Sequence, residues 1–151
     1  MKATVKWIDN AAFVGESESG HAFVMDGAQE GGGRNLGPRP MEVVLLGTGG
    51  CSAYDVVTIL KKARQRIRDC SVQISAERAP QEPKVFTRIH LHFVITGTNI
   101  SPKHVQRAVE LSAEKYCSAS IMLGKTAQIT HDFEIIADPD APERTASEAA
   151  L

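Results

Sequence analysis

The sequence predicts an α+β domain with antiparallel sheets around long central helices, and three observations support this. Alternating apolar and polar residues mark strands near both ends of the chain and in its middle. One long apolar segment, Val43 to Leu60, has the character of a buried helix. The strand runs precede helices without the regular alternation that a parallel α/β protein shows.

The N-terminal residues predict strands followed by a loop. In Lys2 to Asp9 the side chains of Ala3, Val5 and Trp7 share one face, which predicts a strand with one buried side. A hairpin bent at "SESG" follows from Phe13 to Met25. The glycine-rich stretch "DGAQEGGGRNLGPRP" then breaks the periodicity and predicts a surface loop.

A central helix is predicted from Pro40 to about Arg66. Its apolar part just reaches the length of a membrane span. However, Thr48, Ser52, Asp55 and Lys62 give it one polar stripe, which is typical of a core helix touching a polar cavity, so we expect no membrane span. Because a single sheet covers only one side of such a helix, we expect a second copy to cover the other, in an intertwined homodimer.

The second half of the chain predicts a long hairpin, two helices and a last strand. "CSVQISAER" and "VFTRIHLHFVITG" should pair antiparallel. Ser101 and Pro102 start a helix that ends near Cys117, Ser118 caps a short helix, and "AQITHDFEII" forms the last strand. We expect one domain over residues 1–137 and a disordered tail over residues 138–151.

The composition excludes several classes of function. The 151 residues are 42% apolar and 23% charged with a net charge of -1, which is ordinary for a soluble domain and offers no basic surface for nucleic acid. Three cysteines match no zinc spacing, and the N-terminus lacks the apolar stretch of a signal peptide. The sequence therefore predicts a protein of the reducing cytoplasm.

The segment "LGTGGCSAYDVV" combines glycines with a cysteine. A phosphate loop would need a strand before the glycines, whereas a helix-starting proline precedes them here, so we expect them only to allow close packing. Cys51 shares the polar stripe of the helix, and Cys117 precedes a helix N-terminus that favours a thiolate. Cys70 should be a small buried residue. Two ionisable thiols suggest redox chemistry if they meet in space.

These residues also resemble a known family. "PMEVVLLGTGGCSAYDVV" followed by "AEKYCSASIML", with a long hairpin between the helices, is similar to the OsmC/Ohr family of hydroperoxide reductases, above all to its YhfA-like branch. The resemblance covers most of residues 1–137. It implies an intertwined dimer with active sites at the subunit interface, a peroxidatic Cys51, a resolving Cys117, a small hydrophobic hydroperoxide as substrate and a dithiol as reductant. No metal and no bound cofactor are implied, because thiols alone can reduce a peroxide.

The chain departs from the family pattern at the start of the central helix. The family's reductases carry a glutamate after the helix-start proline, where this chain has Met41. The nearest carboxylate, Glu42, would lie about 180° around the helix from Cys51. We therefore expect Glu42 to be a solvated charge in the first turn, and a supporting role for it is the weaker alternative.

The family's thiolate-stabilising arginine is a second departure. It comes from the N-terminal strand region, and residues 1–33 here contain no arginine. Arg34 and Arg39 in the loop are the candidates to replace it, although loop arginines are usually solvated. Without an adjacent cation, burial and Asp55 should raise the pKa of Cys51.

Three histidines are expected to play little part. His90 and His92 lie two apart on a strand and share a face, which could place two metal ligands together. No third ligand is apparent nearby in the sequence, so we expect two polar side chains on the outward face. His131 falls on the apolar face of the last strand and should be a satisfied core histidine.

Two functions remain open on the sequence. The first is a cytoplasmic thiol peroxidase that reduces organic hydroperoxides through Cys51 and Cys117 in oxidative-stress defence. The second is a non-catalytic module of the same fold that binds a small hydrophobic ligand in the interface cavity, with the cysteines as slow redox sensors. Met41 favours the second function, since a thioether suits an apolar cavity.

Overall fold

The computed structural model describes residues 1–140, so most of the predicted tail, residues 141–151, lies outside the described residues. The chain forms two compact units, residues 1–47 and the residues from Thr48 onward. The first unit contains an antiparallel three-stranded sheet in the order β1-β2-β3. Its strands are β1 (Ala3–Asp9), β2 (Ala12–Ser17) and β3 (Ala22–Met25), with the turn at "SESG" as predicted.

One face of β1 differs from the prediction. Val5 and Trp7, expected to be buried, are each 61% exposed in the single chain. The alternation is present, but the described chain does not cover this face. An apolar strand face left open in this way is typical of a surface that meets another molecule.

The loop after β3 is organised by a buried carboxylate that the sequence pattern did not reveal. Asp26 is 1% exposed and accepts hydrogen bonds from the amides of Gly27 at 2.8 Å, Arg34 at 2.8 Å and Leu36 at 3.2 Å. The Arg34 and Leu36 amides lower the pKa of Asp26 below its ordinary value of 3.8. This predicted surface loop is therefore tied down from within, with a single 3-10 turn at Gln29–Gly31.

The central helix α1 spans Pro40–Lys62. It ends before the predicted Arg66 because Arg64 adopts a left-handed backbone with φ 56° and the next strand begins at Arg66. Within the second unit its buried side carries Thr48, Gly49, Ser52, Val56 and Leu60. By length and composition α1 could cross a membrane. The hydrogen bonds of its polar stripe, described below, favour a core helix instead.

The sheet of the second unit has the order β4-β5-β6, with β4 (Arg66–Arg78), β5 (Phe86–Thr98) and β6 (Gln128–Ala137). β4 and β5 pair antiparallel as predicted, whereas β5 and β6 pair parallel. Two helices lie between β5 and β6 in the chain, and such a crossover returns the last strand in the same direction. The inner face of β5 forms the centre of the core through Ile89, Leu91, Phe93 and Ile95.

The crossover contains α2 (Pro102–Leu111), a wider π-helical turn (Ser112–Tyr116) and α3 (Ser118–Leu123). Pro102 occupies the first turn of α2, as predicted. The predicted cap of α3 is wrong by one residue, because Cys117 rather than Ser118 takes the extended capping conformation. Tyr116, the last residue of the wider turn, is exposed.

Candidate active site: a cysteine pair at the start of α3

The structure brings two of the three cysteines together. Cys51 comes from the middle of α1 and is half-buried, while Cys117 caps α3 and is fully buried. Their sulfur atoms and a carboxylate oxygen of Asp55 all lie within 4.8 Å of one another. Cys70 lies on β4, where burial and the nearby Asp69 raise the pKa of its thiol to about 11. Cys51 and Cys117 are therefore a pair, and Cys70 belongs to the sheet.

Cys117 is surrounded by hydrogen-bond donors. Its Sγ accepts from the Ser52 hydroxyl at 3.1 Å, the Ser120 hydroxyl at 3.2 Å and the Ser120 amide at 3.4 Å. The two hydroxyl oxygens are 3.2 Å apart and also hydrogen-bond each other. A buried sulfur with three donors is an environment suited to a thiolate, because donors to the charged form stabilise it.

The pKa values of the two thiols move in opposite directions. Burial raises the pKa of Cys117, but the hydrogen bonds from Ser120 and Ser52 outweigh it, so the net shift is downward. Burial also raises the pKa of Cys51, and the neighbouring Cys117 and Asp55 raise it further against a hydrogen bond from the Ala119 amide. Cys117 is therefore the thiol of the pair that ionises more readily, and the Cys51 thiol donates a hydrogen bond to it. The rise predicted for Cys51 is confirmed.

The polar stripe of α1 faces this site. Ser112 on the π-helical turn donates its hydroxyl to Asp55 Oδ2 at 3.2 Å and to the Ser52 carbonyl at 3.4 Å. A cavity of about 10 Å³ lies between these serines and the sheet. That volume is about that of one water molecule, so this cavity has no room for a larger ligand. Ser52 of the predicted polar stripe lines this cavity, but most of the cavity lining is apolar, so the predicted polar cavity is found only in part.

The glycines of α1 are only partly explained by close packing. A Cβ on Gly49 would lie 2.5 Å from Ile74 Cδ1 on β4, so this glycine lets the strand approach the helix. Gly47 and Gly50 meet no atom within 4 Å. All three lie inside the helix rather than in a loop before it, which removes the phosphate-loop alternative.

The first unit contains the residues considered as supports for the thiolate, Glu42, Arg34 and Arg39, and each has a hydrogen bond there. The Glu42 carboxylate accepts from the Arg39 amide at 2.8 Å, which confirms Glu42 as a charge of the first helical turn. Arg34 forms an ion pair with Asp9 at 2.5 Å. The groups that stabilise the Cys117 thiolate are instead hydroxyls and an amide, which the sequence analysis missed. Ser52 directly follows Cys51, and Ser120 lies three residues after Cys117. This closeness in sequence was the signal that could have identified the two donors.

The structure agrees with the predicted positions of His90 and His92 but not with that of His131. His90 and His92 share the outward face of β5, as predicted, and β6 places Asp132 beside them. A hydrogen bond that His92 Nδ1 donates to the Asp132 carboxylate raises the pKa of His92. His131 is exposed, so the predicted core histidine is wrong. β6 is an edge strand, and its inner face is only partly covered around His131.

Comparisons with known proteins agree with the fold. The family model of OsmC-like proteins matches residues 31–132. Protein YhfA of Escherichia coli strain K12 is 50% identical over 137 residues, covering 91% of this chain and 99% of that protein. A structure from structural genomics has 48% identity and a TM-score of 0.83, and covers 91% of this chain and 100% of its own.

A more distant solved structure is an organic hydroperoxide resistance protein OsmC from Legionella pneumophila, described as a predicted redox protein. It has a TM-score of 0.67 and 17% identity, and covers 88% of this chain and 95% of its own. At this identity the likeness concerns the fold. The fold and site together define an OsmC-type protein with two facing cysteines. The chain belongs to the OsmC-like protein family.

Proposed function

We propose that this protein is a thiol peroxidase that reduces small organic hydroperoxides through Cys51 and Cys117. The observation that carries the proposal is the pair itself: two sulfurs within 4.8 Å, one of them supplied with three hydrogen-bond donors. Because the two sulfur atoms are close, a disulfide can form between them after a modest movement. The thiolate of the pair supplies the nucleophile. The name of the Legionella structure supports the substrate class.

In the first step the Cys117 thiolate takes the proton of the Cys51 thiol. The Cys51 sulfur, which is the more accessible of the two, attacks the outer peroxide oxygen. The S–O bond forms, the O–O bond breaks, and the alkoxide leaves with the proton returned by Cys117. The products are Cys51 sulfenic acid and an alcohol.

In the second step the Cys117 thiolate attacks the sulfenic sulfur. The S–S bond forms, the S–O bond breaks, and the departing hydroxide takes a proton from solvent to become water. The two thiols together have lost two electrons to the peroxide. An external dithiol then reduces the disulfide by exchange and becomes a disulfide itself.

We also infer that the protein works as a homodimer in the cytoplasm. Each unit exposes large apolar side chains, including Trp7 and Leu46 in the first unit and Tyr54 and Met122 in the second. Tyr54, on the same helix as Cys51, is 73% exposed. A partner subunit covering these faces would form the walls of a hydrophobic substrate pocket around Cys51. The free cysteines suit a reducing compartment.

Peroxide consumption by single variants tests the proposal. Cys51→Ser should abolish consumption of an organic hydroperoxide in the presence of excess dithiol. Cys117→Ser should slow it and leave a sulfenic acid on Cys51, which a dimedone adduct detects by mass spectrometry. Cys70→Ser is the matched control and should keep the wild-type rate. A Cys51→Ser variant as active as wild type would refute the proposal.

The second candidate function is the binding of a small hydrophobic ligand without turnover. The observation that favours it is the raised pKa of Cys51, caused by burial and by the neighbouring Cys117 and Asp55, which slows attack on peroxide. This function predicts that a small apolar molecule raises the melting temperature of Cys51→Ser as much as that of wild type. Peroxide turnover that depends on Cys51 would rule it out as the main activity.

A further inference from the structure

We propose that His90, His92 and Asp132 form a binding site for a divalent transition-metal ion such as Zn²⁺ on the outer face of the second sheet. The site is separate from the cysteine pair and independent of the proposed function. His90 and His92 come from β5, and the parallel pairing of β6 sets Asp132 directly opposite His92. One potential ligand atom of each residue lies within 4.8 Å of the other two.

The three ligand atoms lie close together, with the Asp132 carboxylate facing both rings. Asp132 Oδ1 lies 2.5 Å from His92 Nδ1 and 3.4 Å from His90 Nε2. In a tetrahedral zinc site with bonds of about 2.0 to 2.1 Å, neighbouring ligand atoms are about 3.3 Å apart. The His90 distance already fits this value. The His92 distance widens by less than 1 Å when the metal replaces the proton between the two groups and that proton passes to solvent.

The remaining ring nitrogens also have partners. His90 Nδ1 lies 2.8 Å from the Thr130 hydroxyl, and His92 Nε2 lies 3.7 Å from the Glu134 carboxylate. Histidines that bind metals characteristically hold the other ring nitrogen against a carboxylate or another acceptor, which fixes the ring and its tautomer. Both rings are therefore oriented with the appropriate nitrogen toward Asp132. An ordinary exposed ion pair does not require this arrangement.

The surroundings suit an incomplete ligand set of two imidazoles and one carboxylate. The side chains of the cluster are between 29% and 60% exposed, so solvent water can supply the fourth ligand. Imidazole and carboxylate together favour Zn²⁺ or a neighbouring first-row ion over Mg²⁺ or Ca²⁺, which prefer oxygen alone. A bound ion would tie β5 to the edge strand β6.

Zinc titration with variants tests the proposal, using full-length reduced protein without a histidine tag. Because the thiols of Cys51 and Cys117 also bind zinc, the titration is run in a Cys51→Ser, Cys117→Ser background against a chromogenic chelator. This protein should bind one Zn²⁺ per chain. Adding His92→Gln should abolish that binding, whereas adding His104→Gln, a change at an exposed histidine of α2, should not affect it.

Substitution of Thr130, the hydrogen-bond partner of His90, gives a second test of the metal site. Thr130→Val should weaken zinc binding by about 10- to 100-fold, as loss of an orienting partner does elsewhere. In the wild-type protein, zinc should shift the imidazole nuclear magnetic resonance signals of His90 and His92 but leave those of His104 in place. Zinc binding unchanged by His92→Gln, absent from the Cys51→Ser, Cys117→Ser background, or without effect on the two imidazoles would overturn the proposal.

Discussion

The Ser52→Ala variant offers the sharpest prediction about the site. The substitution removes the hydroxyl that donates to Cys117 Sγ at 3.1 Å, one of three donors to that sulfur. A hydrogen bond to a charged acceptor contributes about 1.5 to 3 kcal/mol. Since about 1.4 kcal/mol is a factor of ten, the thiolate fraction at fixed pH should fall by about 10- to 100-fold.

The assay is the rate of hydroperoxide reduction by the Ser52→Ala variant as a function of pH. The rate should fall by about the same factor at neutral pH and recover as the pH rises, because alkali restores the thiolate without the hydrogen bond. Ser112→Ala is the matched control, since its hydroxyl donates to Asp55 and to a backbone carbonyl rather than to the sulfur. A pH profile that keeps its position in Ser52→Ala would refute the assignment of the negative charge to Cys117.

Three further predictions concern the fold. The pKa of Asp26 is lowered, so its contribution to stability is complete above pH 3.8 and is lost as the pH falls through the lowered value. The free energies of unfolding of Asp26→Asn and wild type in urea should therefore converge in acid. A difference between them that stays constant with pH would contradict this. Leu60→Ala, at a fully buried position, should lower the free energy of unfolding by about 2 to 5 kcal/mol, and a loss well below 1 kcal/mol in denaturant titration would argue against its place in the core. A Cβ on Gly97 would lie 2.2 Å from the Arg66 carbonyl oxygen. Gly97→Ala should therefore destabilise the β4–β5 pairing by about 1 to 3 kcal/mol or more. An unchanged melting temperature would contradict that packing.

Local patterns predicted the elements of the second unit well. The alternating segment "VFTRIHLHFVITG" located β5, and the Ser101-Pro102 pair located the start of α2. The direction of β6 could not be predicted in the same way. Alternation shows which side chains share a face, whereas the direction of pairing depends on how α2 and α3 carry the chain back to the sheet.

Local sequence patterns likewise identified only some of the residues of the cysteine pair and of the proposed metal site. Cys51 and Cys117 were recognised from their own positions and from the resemblance to a family. Ser52 and Ser120 become donors to one sulfur only after α1 and α3 come together. Similarly, Asp132 becomes a third potential ligand for His90 and His92 only through the β5–β6 register, so no local spacing could reveal it.

The burial of apolar side chains depended on more than the single chain. The pattern of β1 correctly grouped Val5 and Trp7, but both are exposed in the described chain. Hydrophobic periodicity reports which residues require cover and does not state which molecule supplies it. The proposed homodimer would cover both side chains, and sedimentation of the full-length protein should then give twice the mass of the chain.

The central claim is that Cys51 and Cys117 act as one redox pair. The most direct measurement is to add one equivalent of an organic hydroperoxide to the reduced protein, count the free thiols and map the disulfide by mass spectrometry. The account predicts that only Cys70 of the three free cysteines keeps its thiol and that Cys51 is joined to Cys117. Retention of all three thiols after full incubation would contradict it.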